Sequence, residues 1–201
     1  SEGFVETFGP GLIARVEQDA PGVKLHFAQK HARDSTSLRD GTADLETGVV
    51  GDMMGPEIRA KGLFRDRFIA VVRNGHPLSE GPVTPARYAK TEHIAISRDG
   101  VDKGRIDKIL DDALGSRGLE RTINTIVGGF ASALALARTT DLIATVPERH
   151  TAGLRDGLHC FSIPFPTPEV TVSLLWHPRL DADPAHQWLR SGVIAICAKS
   201  A

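Results

Sequence analysis

The chain has 201 residues, of which 41% are hydrophobic and 24% charged, with a formal net charge of −1. That length buries a real core, as one large domain or two small lobes. The near-zero charge excludes a global basic field for nucleic acid, and no apolar run approaches the ~18 residues that span a bilayer. Cys160 and Cys197 lie far apart without a CxxC pairing, which argues against a disulfide framework and for a reducing compartment. Ser1-Glu2-Gly3 has neither a basic start nor an apolar middle, so no signal peptide is expected; the abrupt start reads as that of a fragment.

Phe4, Val5, Phe8, Leu12, Ile13 and Val16 keep an i, i+4 rhythm, predicting an amphipathic helix over residues 4–19. Gly9-Pro10-Gly11 interrupts it, and because proline removes a helical hydrogen bond, a bend or a late start near Pro10 is expected. After Ala20-Pro21-Gly22, residues 23–27 alternate as a strand. Residues 29–40 are polar and hold a short helix that stops at Leu38-Arg39-Asp40-Gly41. A buried strand over residues 43–51 follows, then a more mixed one over 58–64 and a strongly β stretch over 67–72. Arg73-Asn74-Gly75-His76-Pro77 is turn chemistry. A short helix at residues 87–89, a strand over 93–97 opening on the polar loop Arg98-Asp99-Gly100, and a helix over 104–114 closed by Gly115 come next.

Residues 122–150 form the most informative stretch. Thr122-Ile123-Asn124-Thr125-Ile126-Val127 suits a pleated surface, Gly128-Gly129 breaks it, and Phe130, Ala133, Leu134, Ala137 and Arg138 recur at helical spacing. Residues 141–146 are a second apolar run, after which Pro147 reads as the first turn of another helix. The unit is β-α-β, whose crossover makes its two strands parallel. Beyond it come a strand over 158–163, a crossing punctuated by Pro164, Pro166 and Pro168, a strand over 170–176, and a last helix that starts after Asp183-Pro184. The alternation of strands and helices predicts an α/β fold with mostly parallel pairing. The two turn-rich places, residues 73–77 and 164–168, divide it into lobe I (1–72 and 167–201) and lobe II (73–166), with two interlobe crossings.

No catalytic motif is present: there is no GxSxG, P-loop or GxGxxG, and Gly55 and Gly62 have the wrong spacing for the last. Each cysteine sits in an apolar run, a packing position rather than a nucleophile. His177, Asp181, Asp183 and His186 cluster in sequence, but Pro178 and Pro184 frame them as a loop and N-cap rather than a metal site. Glu46 reads as an edge position in an apolar strand. The strongest functional feature is Gly128-Gly129, which leaves bare backbone N–H groups at a helix start, an arrangement that favours a carboxylate or phosphate. Phe130 offers an apolar wall beside it. Arg98 is either a counter-charge or a solvated loop arginine.

Leu38-Arg39-Asp40-Gly41 with Asp44-Leu45, Leu63-Phe64 before residues 68–72, His76-Pro77-Leu78, and Asp141-Leu142-Ile143-Ala144-Thr145-Val146-Pro147-Glu148 occur in an order that resembles the effector-binding domain of LysR-type transcriptional regulators. Ala20-Pro21-Gly22-Val23-Lys24-Leu25 fits that family's junction of first helix and second strand. The resemblance covers essentially the whole chain. It implies a periplasmic-binding-protein-like fold of two α/β lobes, a small effector in the cleft between them, no enzymatic activity and no cofactor. It also implies a homodimer or tetramer in the cytoplasm, without membrane contact. Promoter DNA would be bound only through an N-terminal winged helix-turn-helix that has no counterpart here. The family's effector positions map to Ser1, His31, Arg98, Gly128, Gly129, Phe130 and Pro147, with a small organic anion as the expected ligand. A free-standing solute-binding protein of a transport system is the alternative that shares this fold.

Overall fold

The computed structural model describes residues 2–28, 34–51, 54–97 and 104–199. In chain order the elements are α1 (Glu2–Asp19), α2 (Thr36–Asp40), β1 (Glu46–Val49), β2 (Arg59–Asp66) and β3 (Phe68–Arg73). Then come α3 (Pro85–Lys90), β4 (His93–Ile96), α4 (Arg105–Gly115), β5 (Ile123–Val127) and α5 (Phe130–Thr139). The chain ends with β6 (Ile143–Pro147), β7 (Leu158–Ser162), β8 (Val170–Trp176) and α6 (Pro184–Lys199). Two units result, one from Gly3–Asp66 with Val170–Ala201, the other from Arg67–Glu169.

The first unit has a three-stranded sheet in the order β1-β8-β2, antiparallel throughout. Its core is the stripe Phe4, Phe8 and Leu12 of α1, packed on Phe64, Val172 and Leu174 of the sheet and on Val193 and Cys197 of α6. Spacing of four residues stacks Phe4 over Phe8 (ring centroids 5.1 Å apart), and Phe8 meets Phe64 at 5.3 Å. The helix runs through Pro10 from Glu2, so it has no late start. Gly41 takes the left-handed conformation (φ 83°) that stops α2 where the sequence expects it.

The second unit has a five-stranded sheet in the order β5-β4-β6-β3-β7. Period-2 alternation divides its buried side chains between two faces. Ala70, Val72 and Ile143 face Tyr88 of α3 and Ile106, Leu110 and Leu114 of α4. Ile69, Val71, Ala144 and Val146 face Ala133, Leu134 and Ala137 of α5. The sheet is therefore covered on both faces, as parallel strands require.

Several expectations are corrected. Pairing is mixed rather than mostly parallel: among the described residues only β4–β5 and β4–β6 pair in parallel. The strand expected over residues 67–72 pairs with β6 and β7, so it belongs to the second unit, and the first boundary falls at Asp66/Arg67 rather than after residue 72. Strand sequence alone carries no information about which sheet takes it. The strand over residues 170–176 does return to the first unit, as expected. Residues 23–27 join no ladder; Leu25 packs on the core, while Val23 and Phe27 are exposed. The strand expected over residues 43–51 shortens to Glu46–Val49 at a sheet edge, with Glu46 buried there.

Candidate functional site

In the second sheet β4 has a parallel neighbour on each side, so β4, β5 and β6 all end at one edge. From β4 the chain crosses one face through α4 to reach β5, and from β5 it crosses the other face through α5 to reach β6. The winding therefore reverses between β4 and β6, and the carboxyl ends beside such a reversal are where open α/β sheets take ligands. The chain enters and leaves the sheet at this same edge, since Phe68 pairs with Pro147 and Ser162 with Ile69.

Gly128 and Gly129 sit at that edge, directly after β5. Gly129 caps α5 in an extended conformation (φ −158°, ψ 170°) with no side chain to accept an N–H. Ala133 N–H reaches Gly129 O at 3.2 Å, so the N–H groups of Phe130, Ala131 and Ser132 have no acceptor within the helix. The first turn of α5 carries no acid, and a Cβ at Gly128 would meet nothing within 4 Å. Phe130 is half-buried and packs against the α5 core cluster, so part of its ring is already occupied.

Pro147 ends β6 rather than opening a helix. The β3 ladder runs through Phe68 and Pro147, and a residue without an N–H suits a terminal strand position. Its carbonyl accepts Thr151 Oγ1 at 2.7 Å. Next to it, Glu148 is gripped by Arg67 through Nε–Oε2 (2.5 Å) and Nη2–Oε1 (3.0 Å). That guanidinium holds the Glu148 carboxyl below its usual range and holds its own proton more tightly in return. Gly128, Gly129, Phe130 and Pro147 are thus brought to one sheet edge. Ser1, His31 and Arg98 lie outside the described residues.

The sequence reading missed a buried polar group that runs from the amino ends of β4 and β5 to the start of α4. Arg121, whose side chain is fully buried, pairs with Asp107 (2.9 Å) and with the half-buried Asp111 (2.8 Å). His93 is fully buried; its Nε2 lies 3.0 Å from Tyr88 O and its ring meets that of Tyr88 edge-on. Burial, with the Arg121 charge adding to it, pushes the imidazole down to about 4. Burial likewise raises the Tyr88 phenol to about 12, while its hydroxyl lies 3.0 Å from Thr145 Oγ1. No one-dimensional pattern marks these residues, because their spacing is set by tertiary packing.

Two other places fall short of a site. A hollow of about 460 Å³ at the amino ends of the same strands is lined by Thr91, Glu92, Asn124, Thr140, Asp141 and Leu142. Its carboxylates are engaged by Asn124 and by Arg73. In the first unit, His177 caps a 3-10 turn, Asp181 accepts from Trp176 Nε1, Asp183 caps α6 through His186 N–H, and His186 Nε2 meets Asp44 O. The loop and N-cap reading of that cluster holds.

A family model described as the LysR substrate binding domain matches residues 1–195. The chain belongs to this family. The LysR match accounts for the two sheets, and the fold is periplasmic-binding-protein-like. The HTH-type transcriptional activator NagR of Ralstonia sp is 26% identical over 196 residues, which cover 96% of this chain and 64% of that protein. The chain thus spans under two-thirds of the length of this curated relative. The solved regulatory domain of MexT, a transcriptional activator in Pseudomonas aeruginosa, is 26% identical with a TM-score of 0.81, covering 96% of this chain and 94% of that one. The effector binding domain of QuiR in complex with shikimate shares the fold (TM-score 0.70, 18% identity, 95% and 90% covered). No helix among the described residues is long and apolar enough to cross a membrane.

Proposed function

We propose that this chain is the effector-sensing domain of a LysR-type transcriptional regulator and binds a small organic anion without transforming it. The observation that carries the reading is the Gly128-Gly129 turn. It places an uncapped, acid-free helix start at the carboxyl edge of three parallel strands. A carboxylate there gains backbone N–H bonds and a favourable dipole, about 0.3–2 kcal/mol depending on burial. Ser1 and Arg98 are proposed to add a hydroxyl and a charge, and His31 and Pro147 to line the ligand. The shikimate held by QuiR supports an organic acid as the kind of ligand this fold takes.

The regulator is proposed to be cytoplasmic, to contact promoter DNA through a part outside this chain, and to work as a homodimer or tetramer. α1 and α5 are the proposed contact helices. The exposed Ile13 on α1 and the exposed Ala135 on α5 support this, although Leu136 packs inward. A transport solute-binding protein is not favoured, since the curated relative quoted above is a transcriptional activator.

A thermal-shift panel of carboxylates against matched neutral amides tests the ligand class, on wild type and on Gly129→Asp. The extended backbone at Gly129 accepts a side chain, and an aspartate there caps the helix itself. The variant is expected to fold at least as well and to lose the response to acids. Equal stabilisation by amides, or an unchanged response in the variant, would place the anion elsewhere.

A further inference from the structure

We infer that Asp107 is a positioning residue that sets the carboxyl end of β4 at the edge where the effector is proposed to bind, with Arg121 as its buried anchor. The β4–β6 ladder stops at Ile94–Ala144, whereas the β4–β5 ladder continues to Ile96–Val127 and then through Ser97 N–H to Val127 O at 2.9 Å. Ile96 N–H, which points to the β6 side by strand alternation, is taken instead by Asp107 Oδ2 at 3.4 Å. The other oxygen of that carboxylate is held by Arg121 Nη2 at 2.9 Å, and the same nitrogen donates to Asp107 O at 3.1 Å. Arg121 is in turn fixed by Asp111.

Gly104 completes the clamp: a Cβ there would lie 2.3 Å from Ile96 O, so the start of α4 rests directly on the end of β4. A charge pair this buried is a poor device for stability alone, because well-packed apolar residues serve as well. Its position explains it better. It holds a protein carboxylate at the fork between β4 and β6, and so fixes the direction in which β4 leaves the sheet.

The test compares wild type, Asp107→Asn and the double variant Asp107→Leu with Arg121→Met. The double variant removes the buried pair as a unit, takes from the half-buried Asp111 only its link to Arg121, and is expected to fold; the Asn variant keeps an acceptor for Ile96. Amide exchange by NMR is read at Ser97, whose hydrogen bond to Val127 does not involve Asp107, against core amides of β3. In the double variant Ser97 is expected to exchange roughly tenfold faster relative to the core, with Asp107→Asn, which keeps one acceptor oxygen but sets its amide N–H groups against Arg121, falling between it and wild type. Unchanged relative protection of Ser97 would overturn the inference. Benzoate titration of the same proteins supplies the second readout, which rests on the functional reading above. Its affinity is expected to fall on the order of tenfold in the double variant. Undiminished affinity there would count against the positioning role. A wild type blind to benzoate and other acids would defeat the ligand class, while the Ser97 measurement still decides the role of Asp107.

Discussion

Two helices of the second unit begin at the same edge of the same sheet, both with a glycine cap and neither with a side-chain cap hydrogen bond. At α4 the third helical residue is Asp107, buried and paired with Arg121; at α5 the third is Ser132, exposed. A Cβ at Gly104, the α4 cap, would collide with Ile96 O, whereas one at Gly128, the residue before the α5 cap, meets nothing within 4 Å. The first turn of one helix carries a buried carboxylate, held by Ile96 N–H and Arg121, and the first turn of the other carries no acid. Since both offer unpaired N–H groups to an anion, the difference supports the proposal that the α5 start, and not the α4 start, is the ligand's end.

The largest way to break this comparison is to empty the filled end. Asp107→Ala leaves Arg121 buried with half its charge partners and is expected to cost about 3–5 kcal/mol, while Ser132→Ala at the matching position stays within about 0.5 kcal/mol. Urea unfolding of both variants checks the contrast. The next effect is acid sensitivity at the opposite, amino end of β4, whose first residue is His93. The His93 value falls to about 4 in the fold from an ordinary 6.5, so the unfolded chain binds the extra proton between those values. Stability therefore drops as pH falls from 6.5 to 4, by about 3 kcal/mol for this group. His93→Gln is expected to lose that much less over the same window, read as the difference between two pH–stability curves. Smaller again is the backbone contact: Gly104→Ala should cost about 1–3 kcal/mol, whereas Gly128→Ala should be neutral or stabilise by up to about 1 kcal/mol.

The open end was legible in the sequence and the filled end was not. Gly128-Gly129 between a β-branched run and a helical stripe marks strand, turn and helix by local chemistry, and the structure places each as expected. Pro147 was misread because proline suits both a helix start and a strand end, and only the pairing with Phe68 separates the two. The strand over residues 67–72 was recognised as a strand but given to the wrong unit, since sheet membership depends on partners distant in the chain. Arg121 and Asp107 carried no signal at all. Arginine after a helix and aspartate in a first turn are ordinary solvated residues until packing buries both.

The smallest effect concerns the acid closest in sequence to the open edge. Glu148 follows Pro147, yet Arg67 claims its carboxylate from both oxygens, so it is held off from acting as a ligand for α5. The pair is largely exposed and adds little to stability. Because the folded value of Glu148 is depressed below 4.5, its contribution is present above that pH and disappears as pH falls through the folded value. Glu148→Gln should therefore melt slightly below wild type at pH 7, and the gap should close in acid and shrink in high salt. The same substitution frees the Arg67 guanidinium near the edge. Benzoate is then expected to stabilise Glu148→Gln at least as well as wild type, opposite in direction to its loss in Gly129→Asp. Paired melting curves with and without benzoate read both signs in one experiment. A weaker response in Glu148→Gln would mean that the ligand depends on Arg67 being held in place by Glu148, and not on the open helix start alone.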